Sequence, residues 1–171
     1  MHRVYLAGPD VFRPDAIEHG RKLVDLCTAH GFEGVFPLDP SLAADPRPSH
    51  ELARQIYRDN LARIDSCDAV LANLDFFRGV EPDSGTCFEV GYAVAHGKVV
   101  VGYVPDRGSL PERIRGRDPG LVQGDFDLNG WRVEDFGLPL NLMLAVPCRI
   151  VVGDARSALA ALAALRPGEA A

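Results

Sequence analysis

The sequence predicts an α/β fold in which helices cover both faces of a parallel β-sheet. Short apolar segments at 4–7, 68–74 and 98–103 are typical of buried strands. Segments with helical periodicity separate them, and this alternation indicates parallel strands joined by crossover helices. We therefore predict the strand order 2-1-3-4-5, that of flavodoxin-like proteins, in a single domain spanning 1–171.

Each predicted element has a local reason. The first strand ends at Gly8-Pro9, and the first helix has an apolar stripe and ends at Gly31. Ser49 is a good cap for the second helix, and residues 105–137 have no clear period. The predicted elements are strands at 4–7, 35–36, 68–74, 98–103 and 149–152, helices at 14–30, 49–64, 84–96 and 154–165, and a loop at 38–49 that could cover a pocket.

Composition narrows the classes of partner. Hydrophobic residues make up 47% of the chain and charged residues 25%, which is ordinary for a globular protein. The net charge is −6 and no basic run occurs, so we expect no nucleic-acid partner. The sequence opens directly on a strand and has no apolar stretch of membrane-spanning length, so we expect a cytoplasmic protein without membrane contact.

No pattern typical of a metal or cofactor site is found. The turn after the first strand is neither a P-loop nor a GxGxxG fingerprint. We expect no metal and no cofactor. Neither the cysteines nor the histidines have the spacing of metal ligands. We interpret the cysteines as buried thiols: Cys27, Cys67, Cys87 and Cys148. We interpret the histidines as surface residues: His2, His19, His30, His50 and His96.

The most informative motif lies at 77–93. Two of its carboxylates, Asp83 and Glu89, lie on either side of a turn made by Ser84 and Gly85 that opens a helix. Cleavage at a sugar's anomeric carbon needs two such groups. The helix dipole would favour the ionised form of Glu89, as a nucleophile requires. The alternative is that Glu89 faces solvent and Asp83 merely precedes a helix cap.

The predicted topology brings this motif to a crevice. In such sheets ligands bind beyond the carboxyl ends of the strands where the strand order reverses, here between strands 1 and 3. The loops at this point carry Gly8, Asp10 and residues 75–83. Tyr5 could place its hydroxyl against Glu89 across the crevice. Phe12 could stack on a flat ring, although a single Phe is more often part of a core.

Taken together, these residues resemble nucleoside 2-deoxyribosyltransferases. The similarity is carried by residues 4–12, 68–74, 79–86 and 89–93, and Asn141-Leu142-Met143 resembles the C-terminal segment of that family. It extends in order over about the first 145 residues.

This resemblance implies a flavodoxin-like enzyme of nucleoside salvage that exchanges nucleobases on 2-deoxyribonucleosides, with slow hydrolysis as a side reaction. By analogy Glu89 is the nucleophile, Tyr5 orients it, and Asp83 contacts the base and transfers a proton. Asn141 would reach the sugar 5′-hydroxyl and Met143 would pack nearby. Both would enter a neighbouring subunit's pocket, which implies a homo-oligomer.

Asn60 is a departure from the family, because some members have Asp at this position of the second helix. An amide donates and accepts hydrogen bonds whereas a carboxylate only accepts, so the preference among bases could differ. Asp59 is adjacent but points about 100° away on a helix.

Two other functions remain open. One is a related hydrolase of deoxynucleoside 5′-monophosphates, which needs phosphate-binding groups after strand 1, where this chain has Asp10. The other is a nucleotide-sensing module without catalysis, which would not need Tyr5 and Glu89 to face one another.

Overall fold

The computed structural model describes residues 2–37 and 49–165, so most of the predicted loop at 38–49 lies outside the described residues. The strands are β1 (Arg3–Ala7), β2 (Glu33–Val35), β3 (Ala69–Asn73), β4 (Val99–Val104), β5 (Val122–Gln123), β6 (Phe126–Asp127) and β7 (Arg149–Val152). The helices are α1 (Ala16–Ala29), α2 (His50–Asp65), α3 (Ser84–Ala95), α4 (Leu110–Arg117), α5 (Leu142–Ala145) and α6 (Ala155–Ala163).

The central sheet has the order β2-β1-β3-β4-β7, and all its strand pairs are parallel. This confirms the flavodoxin-like order, with β7 as the fifth strand of the sheet. The second strand begins earlier than predicted because the register pairs Arg3–Tyr5 with Glu33–Val35. Phe36 leaves the strand and packs against the core instead.

Both faces of the sheet are covered, as the continuous apolar strands predict. Along β1, Tyr5 and Ala7 join the core cluster that also contains residues of α2 and α3. Val4 and Leu6 point the other way, into a cluster with residues of α1 and α6. The two-residue alternation of side chains along a strand therefore divides the core into two layers.

Residues 105–137, for which the sequence makes no prediction, contain α4 and the antiparallel pair β5 and β6. Leu110, Ile114 and Val122 form a small core of their own in this region. Arg113 is almost fully buried beside it: its Nη1 donates to the Pro139 carbonyl at 2.7 Å and its Nε to Asp106 at 3.0 Å. Such short elements carry too little periodicity to be recognised from sequence.

The described helices include none that is both long and apolar enough to cross a membrane.

We predict that Leu71→Ala destabilises the fold strongly, because Leu71 is buried in the middle of β3. The expected loss in the free energy of unfolding is about 2–5 kcal/mol, from lost burial and the cavity left behind. Denaturant unfolding measures it. Leu128→Ala is the control, since Leu128 is exposed; equal losses in the two variants would contradict the packing described.

Candidate active site

The structure joins two side chains from distant parts of the chain, Tyr5 and Glu89, beside the point where the strand order reverses. Tyr5 lies on β1 and is fully buried, and its hydroxyl donates a 2.6 Å hydrogen bond to Oε1 of Glu89 on α3. The contact forms because β1 and β3 are adjacent in the sheet and α3, which follows β3, packs over both strands. Glu89 is partly buried and does not lie open to solvent.

Burial raises the pKa of Glu89 from 4.5 to about 7; the Tyr5 hydrogen bond acts against this rise, and the negative charge of Asp83 adds to it. The shift is opposite to the one expected from the helix dipole. The dipole acts mainly within the first turn, whereas Glu89 is in the second turn and desolvation dominates there. Burial and the nearby carboxylate also raise the pKa of Tyr5, so its hydroxyl keeps its proton and remains a donor.

Asp83 is itself the N-cap of α3. Its Oδ2 accepts from the backbone N–H of Thr86 at 2.9 Å and from the Thr86 hydroxyl at 3.0 Å. A Cβ on Gly85 would lie 3.1 Å from the same oxygen, so glycine leaves room for this carboxylate. Oδ1 has no hydrogen-bond partner among the described residues, which leaves one oxygen for a ligand. Ser84 is exposed in the same turn.

The turn after β1 is packed against the end of β3. Asp10 is 9% exposed; its Oδ2 accepts from Asn73 Nδ2 at 3.0 Å, and its Oδ1 lies 2.9 Å from His19 Nε2. A Cβ on Gly8 would lie 2.7 Å from Asp10 Oδ2, so only glycine fits without displacing this carboxylate. Both oxygens of Asp10 are thus engaged within the protein, and its predicted contact with substrate stays a prediction.

Phe12 is not part of the core. Its ring is 56% exposed and stacks on Phe77, with ring centroids 5.5 Å apart and an interplanar angle of 18°. The two rings come from the loops that leave β1 and β3, so they lie together at the mouth of the crevice.

On the second helix, Asn60 is partly buried and its Oδ1 accepts from Arg63 Nη1 at 2.8 Å. Its amide group is therefore oriented by a neighbour on the same helix. Its predicted role in base preference stays a prediction.

Asn141 and Met143 have no hydrogen bond to Tyr5 or Glu89 among the described residues, although the segment that carries them packs against the same core cluster as Tyr5. Asn141 caps α5: its Oδ1 accepts from Met143 N at 3.0 Å, and its Nδ2 donates to Glu134 at 2.9 Å. It borders a cavity of about 370 Å³ formed with Glu81, Glu134 and the β5–β6 hairpin. The Met143 side chain is 73% exposed.

Sequence reasoning missed several residues that shape this site. Thr86 could have been found, because an Asp followed three residues later by a hydrogen-bonding residue is a helix-cap pattern. Asn73 has no local signal, since its partner Asp10 is 63 residues away. His19 and Glu134 are nearer in sequence to their partners, but a bend of the chain rather than a regular helical or strand spacing brings them together. Cys87 is only half-buried, unlike the other three cysteines, and burial and the charges of Asp83 and Glu81 raise the pKa of its thiol. In the part of the chain that the structure describes, no cluster of acidic, His or Cys side chains could hold a metal ion.

Residues 4–143 match the sequence model of the family described as nucleoside 2-deoxyribosyltransferase. An uncharacterised protein of Schizosaccharomyces pombe is 38% identical over 114 residues, which are 66% of this chain and 54% of that protein. The chain thus spans about half the length of this curated relative.

Among solved structures, a 2-deoxyribosyltransferase from Leishmania mexicana is 30% identical, with a TM-score of 0.75 over 95% of this chain and 97% of that one. A conserved protein of Enterococcus faecalis, 20% identical with a TM-score of 0.54 over 94% and 96% of the two chains, shares the fold.

We predict that Glu89 makes stability fall as pH rises from about 4.5 to about 7. In this window the unfolded chain has released the proton that the folded chain still holds. Glu89→Gln removes this dependence. The free energy of unfolding of the variant minus that of the wild type should therefore be more positive at pH 8 than at pH 5, by about 1–3 kcal/mol. Urea unfolding at the two pH values tests this; a constant difference would contradict it.

We predict that Tyr5→Phe raises the pKa of Glu89 above about 7, because the hydrogen bond that favours the carboxylate is lost. Carboxyl-carbon NMR of labelled Glu89 measures the midpoint. Tyr92→Phe is the matched control: Tyr92 lies on the same helix and its hydroxyl donates to Asp65. A lowered midpoint in Tyr5→Phe, or equal shifts in the two variants, would refute the assignment.

Proposed function

Because this chain belongs to the nucleoside 2-deoxyribosyltransferase family, we propose that it exchanges nucleobases on 2-deoxyribonucleosides through a covalent deoxyribosyl-Glu89 intermediate. The observation that carries the proposal is the 2.6 Å hydrogen bond from a buried tyrosine to a carboxylate at the ligand-binding edge of the sheet. A sensing module would not need such a pair, whereas a nucleophile must be aimed at one atom.

The first half-reaction transfers the sugar to the protein. A carboxylate oxygen of Glu89 bonds to the anomeric carbon while the bond between that carbon and the base nitrogen breaks. The electron pair of the broken bond leaves with the base. Asp83 supplies a proton to the departing base, and the sugar carbon is inverted. The second half-reaction runs in reverse with a new base, whose proton returns to Asp83, so the β configuration is restored.

Burial of Glu89 favours this route. A desolvated carboxylate is disfavoured as an ion, which is why its pKa reaches about 7. The deoxyribosyl ester is neutral and escapes that penalty, so the surroundings that destabilise the free carboxylate favour the covalent state. The ester can then survive until a new base arrives, and water that reaches it accounts for slow hydrolysis.

Substrate contacts are proposed for residues around this pair. Gly8 and Gly85 allow close approach of the backbone, the free oxygen of Asp83 meets the base, and Phe12 offers an exposed ring. Ser84 is exposed in the turn that carries Asp83, and Asn60 is assigned to base preference on the family resemblance.

We propose a homo-oligomer in which Asn141 and Met143 complete a neighbour's site. The 73% exposure of Met143, followed by Val146 at 66%, supports this, since two exposed apolar side chains on one short helix suit an interface. The enzyme would then act in nucleoside salvage in the cytoplasm.

A deoxynucleoside 5′-monophosphate hydrolase is less well supported. A phosphate seated against the turn after β1 would face the carboxylate of Asp10, which is buried and carries its own partners. Asp10 would therefore oppose a second anion at this position.

We predict that Glu89→Gln abolishes base exchange while the protein stays folded. Deoxyinosine or thymidine is incubated with a panel of free bases, and new nucleosides and free deoxyribose are measured. Intact-protein mass spectrometry of the wild type with a deoxynucleoside alone should show an added deoxyribosyl group on Glu89, and none in the variant.

Glu33→Gln is the matched control, because Glu33 is exposed at the amino end of β2, at the opposite edge of the sheet from the crevice. Its activity should equal that of the wild type. Exchange at the normal rate in Glu89→Gln would refute the nucleophile. Release of free deoxyribose 5-phosphate from monophosphates, with no exchange, would establish the hydrolase instead.

A further inference from the structure

Arg78, Phe12 and Phe77 form a cluster in which the proposed function uses only Phe12 and leaves Arg78 and Phe77 without a role. The guanidinium of Arg78 lies over both stacked aromatic rings, with its central carbon 5.1 Å from the centroid of Phe12 and 4.5 Å from that of Phe77. Phe12 belongs to the turn after β1, and the other two belong to the loop after β3. The cluster thus joins the two loops that flank the switch point of the sheet.

The backbone of Arg78 is also unusual. Its φ is 55°, and among the described residues it is the one non-glycine residue with a positive φ. A side chain is disfavoured in that conformation. The turn is nevertheless closed by a 2.9 Å hydrogen bond from Phe77 N to Glu81 O, and in this conformation the guanidinium lies over the rings. Strain that the surroundings impose in this way marks candidate functional positions.

Arg78 has no ion pair among the residues that the structure describes. Its guanidinium instead contacts the two aromatic faces. Since cation–π contacts at exposed sites are modest, they suit a role in fixing ring orientation more than one in overall stability. Phe12 keeps 56% of its surface exposed despite both neighbours, so ring surface remains for a further flat group.

We infer that Arg78 is a positioning residue for the nucleobase: with Phe77 it fixes the ring of Phe12 on which the heterocycle stacks. The inference rests on the proposed function for its substrate class and deepens it. Arg78 acts through Phe12 and so determines how well bases bind, while bond breaking stays with Glu89 and Asp83.

The test uses Arg78→Met, which keeps a long apolar side chain and removes the charge, and Arg156→Met as control. Arg156 is exposed on α6, on the other face of the sheet. Calorimetry with free adenine and free hypoxanthine measures base binding without any donor nucleoside. Loss of two exposed cation–π contacts should weaken binding in Arg78→Met about fivefold or more, and leave Arg156→Met unchanged.

In exchange assays, the KM for donor and acceptor should rise by a similar factor in Arg78→Met. The value of kcat should change less than about twofold, and the midpoints of its pH profile should stay where they are in the wild type. A merely structural defect that disturbed the Tyr5–Glu89 pair would lower kcat and move the pH profile. Arg78→Lys should recover part of the affinity, and Arg78→Gly, which relieves the backbone strain, should not.

A double-variant cycle decides whether Arg78 acts through the ring. Phe12→Leu combined with Arg78→Met should bind bases about as weakly as Phe12→Leu alone. If the fold losses of base affinity in the two single variants multiply in the double variant, the positioning role is wrong. Wild-type affinity in Arg78→Met, or no detectable binding of bases to the wild type, would also overturn it. Because calorimetry needs no turnover, base binding that depends on Arg78 in a protein without exchange would refute the proposed function and leave this inference standing.

Discussion

The hydrogen bond between Tyr5 and Glu89 is the contact on which the rest of the site depends. Burial destabilises the charged form of Glu89. The hydroxyl of Tyr5, which is fully buried, offsets part of this cost by donating a hydrogen bond to Glu89 at 2.6 Å. The result is a carboxyl whose pKa lies at about 7, between the values of a free acid and a fully desolvated one. In the proposed reaction, the neutral ester would be better accommodated in these surroundings than the carboxylate ion.

That contact needs a rigid frame around it, and polar contacts link the loops at the carboxyl ends of the strands. Asp10 accepts from Asn73, whose side-chain oxygen accepts from the N–H of Asp75 at 3.2 Å. Asp75 lies 3.5 Å from Arg113, which in turn donates to the Pro139 carbonyl at 2.7 Å. The turn after β1, the loop between β3 and α3 and the segment before Asn141 are therefore held by one connected set of contacts.

Asp83 has a structural role and, in the proposed reaction, a chemical one, and the two make opposite demands on it. Asp83 caps α3 through one oxygen, which stabilises the helix by about 1 kcal/mol, and leaves the other oxygen free. Its charge also raises the pKa of Glu89, a repulsion that a protein selected for stability alone would avoid. The proposed reaction would account for this cost, because two acids must then act on one bond.

The sequence by itself determined the order of the five strands of the central sheet, from their apolar runs, and the helices α1, α2, α3 and α6. It also determined the Ser49 cap, whose hydroxyl oxygen lies 3.1 Å from Leu52 N, and the pair Asp83 and Glu89 on either side of a glycine turn. These are local patterns, read within a few residues. The ionisation of Glu89 and the partners of Asp10 and Phe12 were decided by tertiary structure alone. They depend on contacts between residues far apart in the chain, as with Tyr5 and Glu89, 84 positions apart, and burial cannot be assigned to a side chain before its neighbours are known.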